Sequence, residues 1–152
     1  DLAVLDSFVA EHVLHVGALG AIRLCHGSPR GDTELVTDHT PEERVRALMA
    51  GVPERVLVTA HTHLSFDRTV AGIRSINPGS VGMPYEGTVG LAYWATLGDE
   101  VALRTTPYST DDAIAAYRAS GDPRAEEMVR ILTAPPTRAE VVEHAEARRF
   151  AD

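Results

Sequence analysis

His61 and His63 close an apolar run, VTAHTHLSF at 58–66. Residues two apart on an extended chain face the same way, and two imidazoles leaving a strand end in a loop also converge. Neutral imidazole is a good ligand for divalent zinc, manganese or iron. For an isolated His-x-His, one packed and one exposed histidine explains the pattern equally well. Here the neighbours shift the balance. His26 also ends an apolar run and opens a tight loop, HGSPRG at 26–31. A third loop, INPGSVG at 76–82, offers Asn77, Gly79 and Ser80 as amide and hydroxyl donors. Three histidines at strand ends, with small-residue loops between them, point to an open metal site.

The other histidines lack such company. His12 and His144 read as surface residues and His15 as partly buried, while His39 in TDHTPEE reads as a loop or capping residue ahead of a helix. Three imidazoles are electrostatically lean for a two-metal site, which normally includes a carboxylate. Asp32, Asp38 and Asp67 are the local candidates. Arg30 and the Ser28 hydroxyl, beside His26, are candidate substrate contacts; a loop-stabilising arginine and a turn serine explain them as well.

The elements that must position these groups alternate between helix and strand. Leu2, Leu5, Phe8 and Val9 repeat at helical spacing. Strands are expected over 12–16 and 21–27, separated by a GALG turn. TPEERVRALMAG at 40–51 is a signed helix: Thr40 as N-cap, Pro41 first, Glu42 and Glu43 in the first turn, and Val45, Leu48 and Met49 as the buried stripe. RVLVTA at 55–60 reads as a strand covered on both faces, delivering the histidine pair. Further strands are expected at 69–80, at 89–97 as a central strand, and at 100–106, hairpinned across Gly98-Asp99. Helices follow from Ser109 to Gly121 and from Asp122-Pro123. TRAE at 137–140 is a capping box opening a last, more polar helix. This order predicts an α/β layered domain, 1–134, with its site at one strand end, and a peripheral C-terminal helix at 135–152.

Composition excludes several functions. The net charge of −8 lacks the basic face that nonspecific nucleic-acid or anionic-membrane binding needs. No apolar run approaches the roughly 20 residues of a membrane span, and the opening residues carry no basic n-region. The chain has no lysine, so Schiff-base, P-loop-lysine and Ser-Lys chemistry are out. The single cysteine, Cys25, suits a reducing, cytoplasmic location. The chain opens at Asp1 directly in a helical pattern with no convincing cap, as a piece of a larger protein does.

RLCHGSPRGD, VLVTAHTHLSFDR and RSINPGSVGMPYEG, in this order, resemble the C-terminal half of the calcineurin-like metallophosphoesterases, above all the small bacterial phosphodiesterase branch. The resemblance covers at least residues 20–108, and YSTDDAIAAYRASGDP and APPTRAEVVEHAE are similar to tails of that branch. It implies part of a four-layer αββα sandwich, two mixed sheets flanked by helices, with two divalent ions (Mn, Fe, Zn or Ni) between the sheets. By motif, His26 and His61 match ligands of one ion and His63 a ligand of the other. The residue before the His-x-His is Ala60 where the family has glycine. The family's Asp-x-His, Gly-Asp and Gly-Asn-His motifs precede the His-Gly motif and have no counterpart here. They would supply the bridging aspartate, an asparagine ligand and the histidine that assists the leaving group. Catalytic residues are therefore expected upstream of Asp1, which itself fits the position just after the asparagine motif, and the N-terminal half of the domain is expected to be missing.

The implied reaction is two-metal hydrolysis of a phosphoester, phosphodiesterase-like, by the complete protein, with this segment inactive alone. The rival is a non-catalytic, protein-binding scaffold of the same fold with an incomplete site. A metallo-β-lactamase-like hydrolase expects aspartate two residues past the His-x-His, where Ser65 stands.

Overall fold

In the computed structural model, which describes residues 2–148, two sheets and five α-helices form the chain. In order these are α1 (Leu2–Asp6), β1 (Glu11–Val16), β2 (Gly20–Cys25), α2 (Glu42–Leu48), β3 (Val56–Val58), β4 (Ser65–Val70), β5 (Ile73–Pro78), β6 (Leu91–Leu97), β7 (Val101–Pro107), α3 (Asp111–Ala119), α4 (Ala125–Thr133) and α5 (Arg138–Ala147). The larger sheet has strand order β1-β2-β3-β5-β4. Its three inner strands are parallel, and β1 and β4 are antiparallel edges. β6 and β7 form the second sheet.

The short, apolar β3 sits mid-sheet, and Leu57 is buried against Val45 and Met49 of the α2 segment and Ile73 of β5. A second cluster, Val36, Leu48, Leu64 and Phe66, takes Val141 and Val142 of α5 on its flank. Both clusters include residues of the α2 segment; Leu57 of β3 belongs to one of them, and Cys25 at the end of β2 packs against that same cluster.

Four expectations are corrected. The strand expected at 69–80 is a hairpin, β4–β5, turning at Ala71 and Gly72, both at positive φ (56° and 74°). β6 is not a central strand: among the described residues it pairs only with β7, and Trp94 is left 39% exposed. Thr40 does not cap α2. It is fully buried, its hydroxyl accepts from the Thr37 amide (2.9 Å) and donates to Glu146 (2.9 Å), and Pro41 takes the cap position. The opening helix is shorter than its apolar spacing suggests: α1 ends at Asp6, so Phe8 and Val9 lie beyond it, and Leu2, Leu5, Phe8 and Val9 are all exposed. The capping box at Thr137 and Glu140 is present, each side chain meeting the other residue's backbone.

α5 is held at both ends. Near its start Arg138 bonds Asp38 (2.7 Å), Glu86 (2.9 Å) and the Ser65 carbonyl (3.2 Å). Near its end Glu146 accepts from Thr37 (2.6 Å) and Thr40 (2.9 Å). Burial pushes the Asp38 carboxyl up, but hydrogen bonds from Arg138 and His39 outweigh it and hold the group below its ordinary value. Replacing Arg138 by Met is expected to leave two partly buried carboxylates without their cation and to destabilise the fold by about 1–3 kcal/mol. Urea denaturation checks this; an unchanged midpoint would show that the clamp contributes nothing.

Candidate metal centre

Three loops meet at the site. The first leaves β2 as His26-Gly27-Ser28. It must carry glycine at 27, because a Cβ there would sit 2.6–2.8 Å from the carbonyl oxygens of Gly31, Glu34 and Asp32. The second leaves β3 as Ala60–His63, and the Ala60 amide donates to the His26 carbonyl (2.8 Å), tying it to the first. The third leaves β5 at Asn77. Fully buried, the Asn77 amide donates to the Ala60 carbonyl (2.7 Å) and the Thr62 hydroxyl (3.0 Å), while its oxygen accepts from Gly79 (2.9 Å).

Within this lacing His61 and His63 adopt left-handed backbone, with φ of 60° and 59°. That conformation costs a non-glycine residue roughly 1–2 kcal/mol. Thr62 between them is buried, and its hydroxyl donates to the Val36 carbonyl (3.3 Å). Both imidazoles are thereby turned off the strand direction, one on each side of an anchored threonine.

His26 Nε2 lies 3.0 Å from His61 Nδ1, a hydrogen-bonding distance at which one ring donates and the other accepts. Two nitrogens that each bind one ion at about 2.1 Å stand roughly 3.0–3.4 Å apart for bond angles of about 90–109°, so the pair fits a shared ion. His63 is oriented separately. Its Nδ1–H donates to the Met83 carbonyl (2.8 Å), and its ring lies against Tyr85 at 4.7 Å between centroids. In the neutral ring this places the proton on Nδ1 and leaves the Nε2 lone pair for a ligand, as carbonyl-oriented metal histidines have it. Burial lowers the His61 pKa, helped by the His26 and His63 rings. Burial likewise lowers that of His63, against its bond to Met83. Both rings are therefore neutral at pH 7, the form that binds a cation.

The carboxylates divide sharply. Asp67 is bound to Arg74 (2.6 Å) and Asp38 to Arg138, so neither is free for the site. Asp32 shares an open groove of about 540 Å³ with His26, and its charge reaches His61. Ser28 is buried and its hydroxyl bonds Glu34, which also pairs with Arg30 (2.9 Å), so both candidate substrate contacts are engaged in their own loop. His39 pairs with Asp38. His12, His15 and His144 are exposed, His15 more so than expected. Among the described residues no group of three or more His, Cys, Asp or Glu is placed to hold a metal ion. The donor set thus fits divalent metal in type, and in the geometry of one pair, but does not close a site. Asp1 lies outside the described residues.

Sequence reasoning did not single out Met83, Tyr85 or Arg148, and it set His144 aside. Met83 and Tyr85 orient His63. Arg148 and His144 line a hollow shared with His61. No spacing signal marks them, because they come from a loop and a helix remote in sequence.

No protein-family model matches the chain, and no curated protein matches it. Solved structures do. A hypothetical protein from Pyrococcus horikoshii OT3 superposes with a TM-score of 0.73 at 21% identity, over 89% of this chain and 54% of that one. A metallophosphoesterase from Sphaerobacter thermophilus superposes with a TM-score of 0.68 at 22% identity, over 88% of this chain and 62% of that one. The chain has a metallophosphoesterase-like α/β sandwich fold, as its motifs led one to expect, and spans a little over half the length of these structures. Among the described residues no helix is long and apolar enough to cross a membrane.

Two outcomes follow for this site. Asn77→Ala is expected to unlace the loops at a cost of about 2–4 kcal/mol, read by urea denaturation; an unchanged midpoint would remove Asn77 from its role. The lowered pKa values of His61 and His63 set a pH dependence. The unfolded rings take up protons below about 6.5 while the folded ones resist, so their stabilising contribution is full above that pH and is lost as pH falls. Melting at pH 7.5 and 5.0 is expected to show a loss at pH 5.0 that shrinks in the His61→Gln/His63→Gln variant.

Proposed function

We propose that this chain contributes His26, His61 and His63 to the divalent-metal site of a phosphoester hydrolase of the phosphodiesterase type. The observation that carries the reading is the 3.0 Å approach of His26 Nε2 to His61 Nδ1, with His63 fixed beside them by Met83. His26 and His61 would hold one ion and His63 a second; Mn, Fe, Zn and Ni all suit imidazole. Bound there, divalent ions supply Lewis acidity toward phosphate oxygens and acidify water. The chain's own part is to present neutral nitrogens from strained, anchored loops. Ser28 and Arg30 keep the first loop in shape through Glu34 rather than hold the ester.

The remaining ligands, including a carboxylate, and the proton donor to the leaving alcohol would come from outside the described residues. That the matched structures are longer than this chain supports this, as does the exposed apolar stripe of Leu2, Leu5, Phe8 and Val9, which suits burial against the rest of the sandwich. We place the protein in the cytoplasm on its single cysteine.

The absence of a three-ligand group among the described residues favours one alternative, a protein-binding scaffold that does not turn over. The full reading frame, stripped by chelator and assayed on bis(p-nitrophenyl) phosphate with and without manganese, separates the two. Metal-dependent turnover is expected, with His61→Ala reducing bound metal and cutting the rate about 100-fold. Full metal content and rate in His61→Ala would remove the site assignment. Metal binding without turnover would favour the scaffold.

A further inference from the structure

His61 faces a second hollow, of about 400 Å³, between its loop and α5. Leu35, Tyr85, Pro136, Val141 and Ala145 give it an apolar wall. Its polar lining is largely spent. The Thr62 hydroxyl lies between Val36 and Asn77, and the Glu140 carboxylate is taken by the Thr137 amide (2.8 Å) and hydroxyl (2.7 Å). What remains for a ligand is apolar surface, the Tyr85 and His144 side chains, and one fixed cation, Arg148. The Arg148 charge also acts on His61, so this cation and the metal-candidate imidazole share the hollow, with the ionised Glu140 carboxylate on the same lining.

The wall is built in advance. α5 is clamped by Arg138 to Asp38 and Glu86 at one end and by Glu146 to Thr37 and Thr40 at the other. Ala145 is buried between these anchors and Val141 packs on the core cluster below. A hollow of this size, mostly apolar with a few convergent polar groups, holds a one- or two-ring organic group.

We propose that this hollow seats the apolar ester group of the substrate, and that α5 thereby selects phosphoesters bearing a flat aryl group over those bearing a small alkyl one. The inference rests on the hydrolase reading only for the phosphate end. Arg148 and the His61 side meet the anion, and the ring lies against Tyr85, Leu35 and Val141. Apart from the Tyr85 hydroxyl and the His144 ring the wall is apolar, so recognition of the ring is mainly by apolar contact.

Phenylphosphonate and methylphosphonate, which cannot be hydrolysed as esters, test this on the full chain by NMR titration. Phenylphosphonate is expected to bind roughly tenfold tighter, since the ring removes far more apolar surface from water than a methyl group. Its shifts should fall on the methyl groups of Leu35 and Val141 and on Tyr85. His144→Trp, at an exposed helix position, is expected to fill the hollow and abolish the preference while methylphosphonate binding stays. Arg148→Ala should weaken both probes alike and keep their ratio. Equal affinities in the unaltered protein, or shifts confined elsewhere, would overturn the proposal. Aryl preference without metal-dependent hydrolysis would keep the hollow and sink the hydrolase reading; hydrolysis without aryl preference would do the reverse.

Discussion

One buried amide holds the candidate site together. Asn77 has no exposed surface and uses both ends of its side chain, donating across to Ala60 and Thr62 and accepting from Gly79 in its own loop. Burying such a group unpaired is unfavourable, so the loops leaving β3 and β5 are fixed relative to each other wherever the amide is satisfied. The His26 carbonyl, bonded by Ala60, brings in the third loop. This lacing offsets the left-handed backbone of His61 and His63, which no local propensity favours. A conformation of that kind persists only where its surroundings over-determine it.

The second sheet takes part in the same constraint. A Cβ on Gly79 would stand 2.6 Å from the Tyr93 Cβ, and the Tyr93 amide donates to the Ser80 carbonyl (3.0 Å). β6 is thus pressed onto the loop that Asn77 anchors. Glycine at 79, with φ of 88°, answers both the turn and the close approach. The site is a junction of two sheets and of α5 rather than a feature of one loop.

Much of this was legible in the sequence because it follows period and punctuation. The β3 run, the histidine pair at its end, the His26 loop, the α2 stripe and the Thr137 capping box all carry local signals that survive tertiary context. The β4–β5 hairpin was hidden because its turn, with positive φ at both central residues, uses Ala-Gly where Asn-Gly is the usual sign. β6 looked central because it is apolar on both faces, and the pattern does not state which strands lie beside it. Thr40 has the right chemistry for a cap, but Glu146, more than a hundred residues away, claims its hydroxyl. The orientation of His63 by Met83 and the hollow under α5 are products of long-range packing alone. For the candidate site, then, donor types were readable and donor geometry was not.

The clamps on α5 also set an order of events in synthesis. Arg138 reaches back 100 residues to Asp38, and Glu146 reaches back 109 to Thr37. The parallel strands at the centre of the large sheet are themselves joined through long connections, which close slowly. On a ribosome the histidine loops can be laced once β5 has emerged, but the apolar wall beside them does not exist until α5 is made. A chain cut before α5 would therefore present His61 without the apolar wall of the hollow. The wall of the hollow is thus completed later in synthesis than the loops it faces.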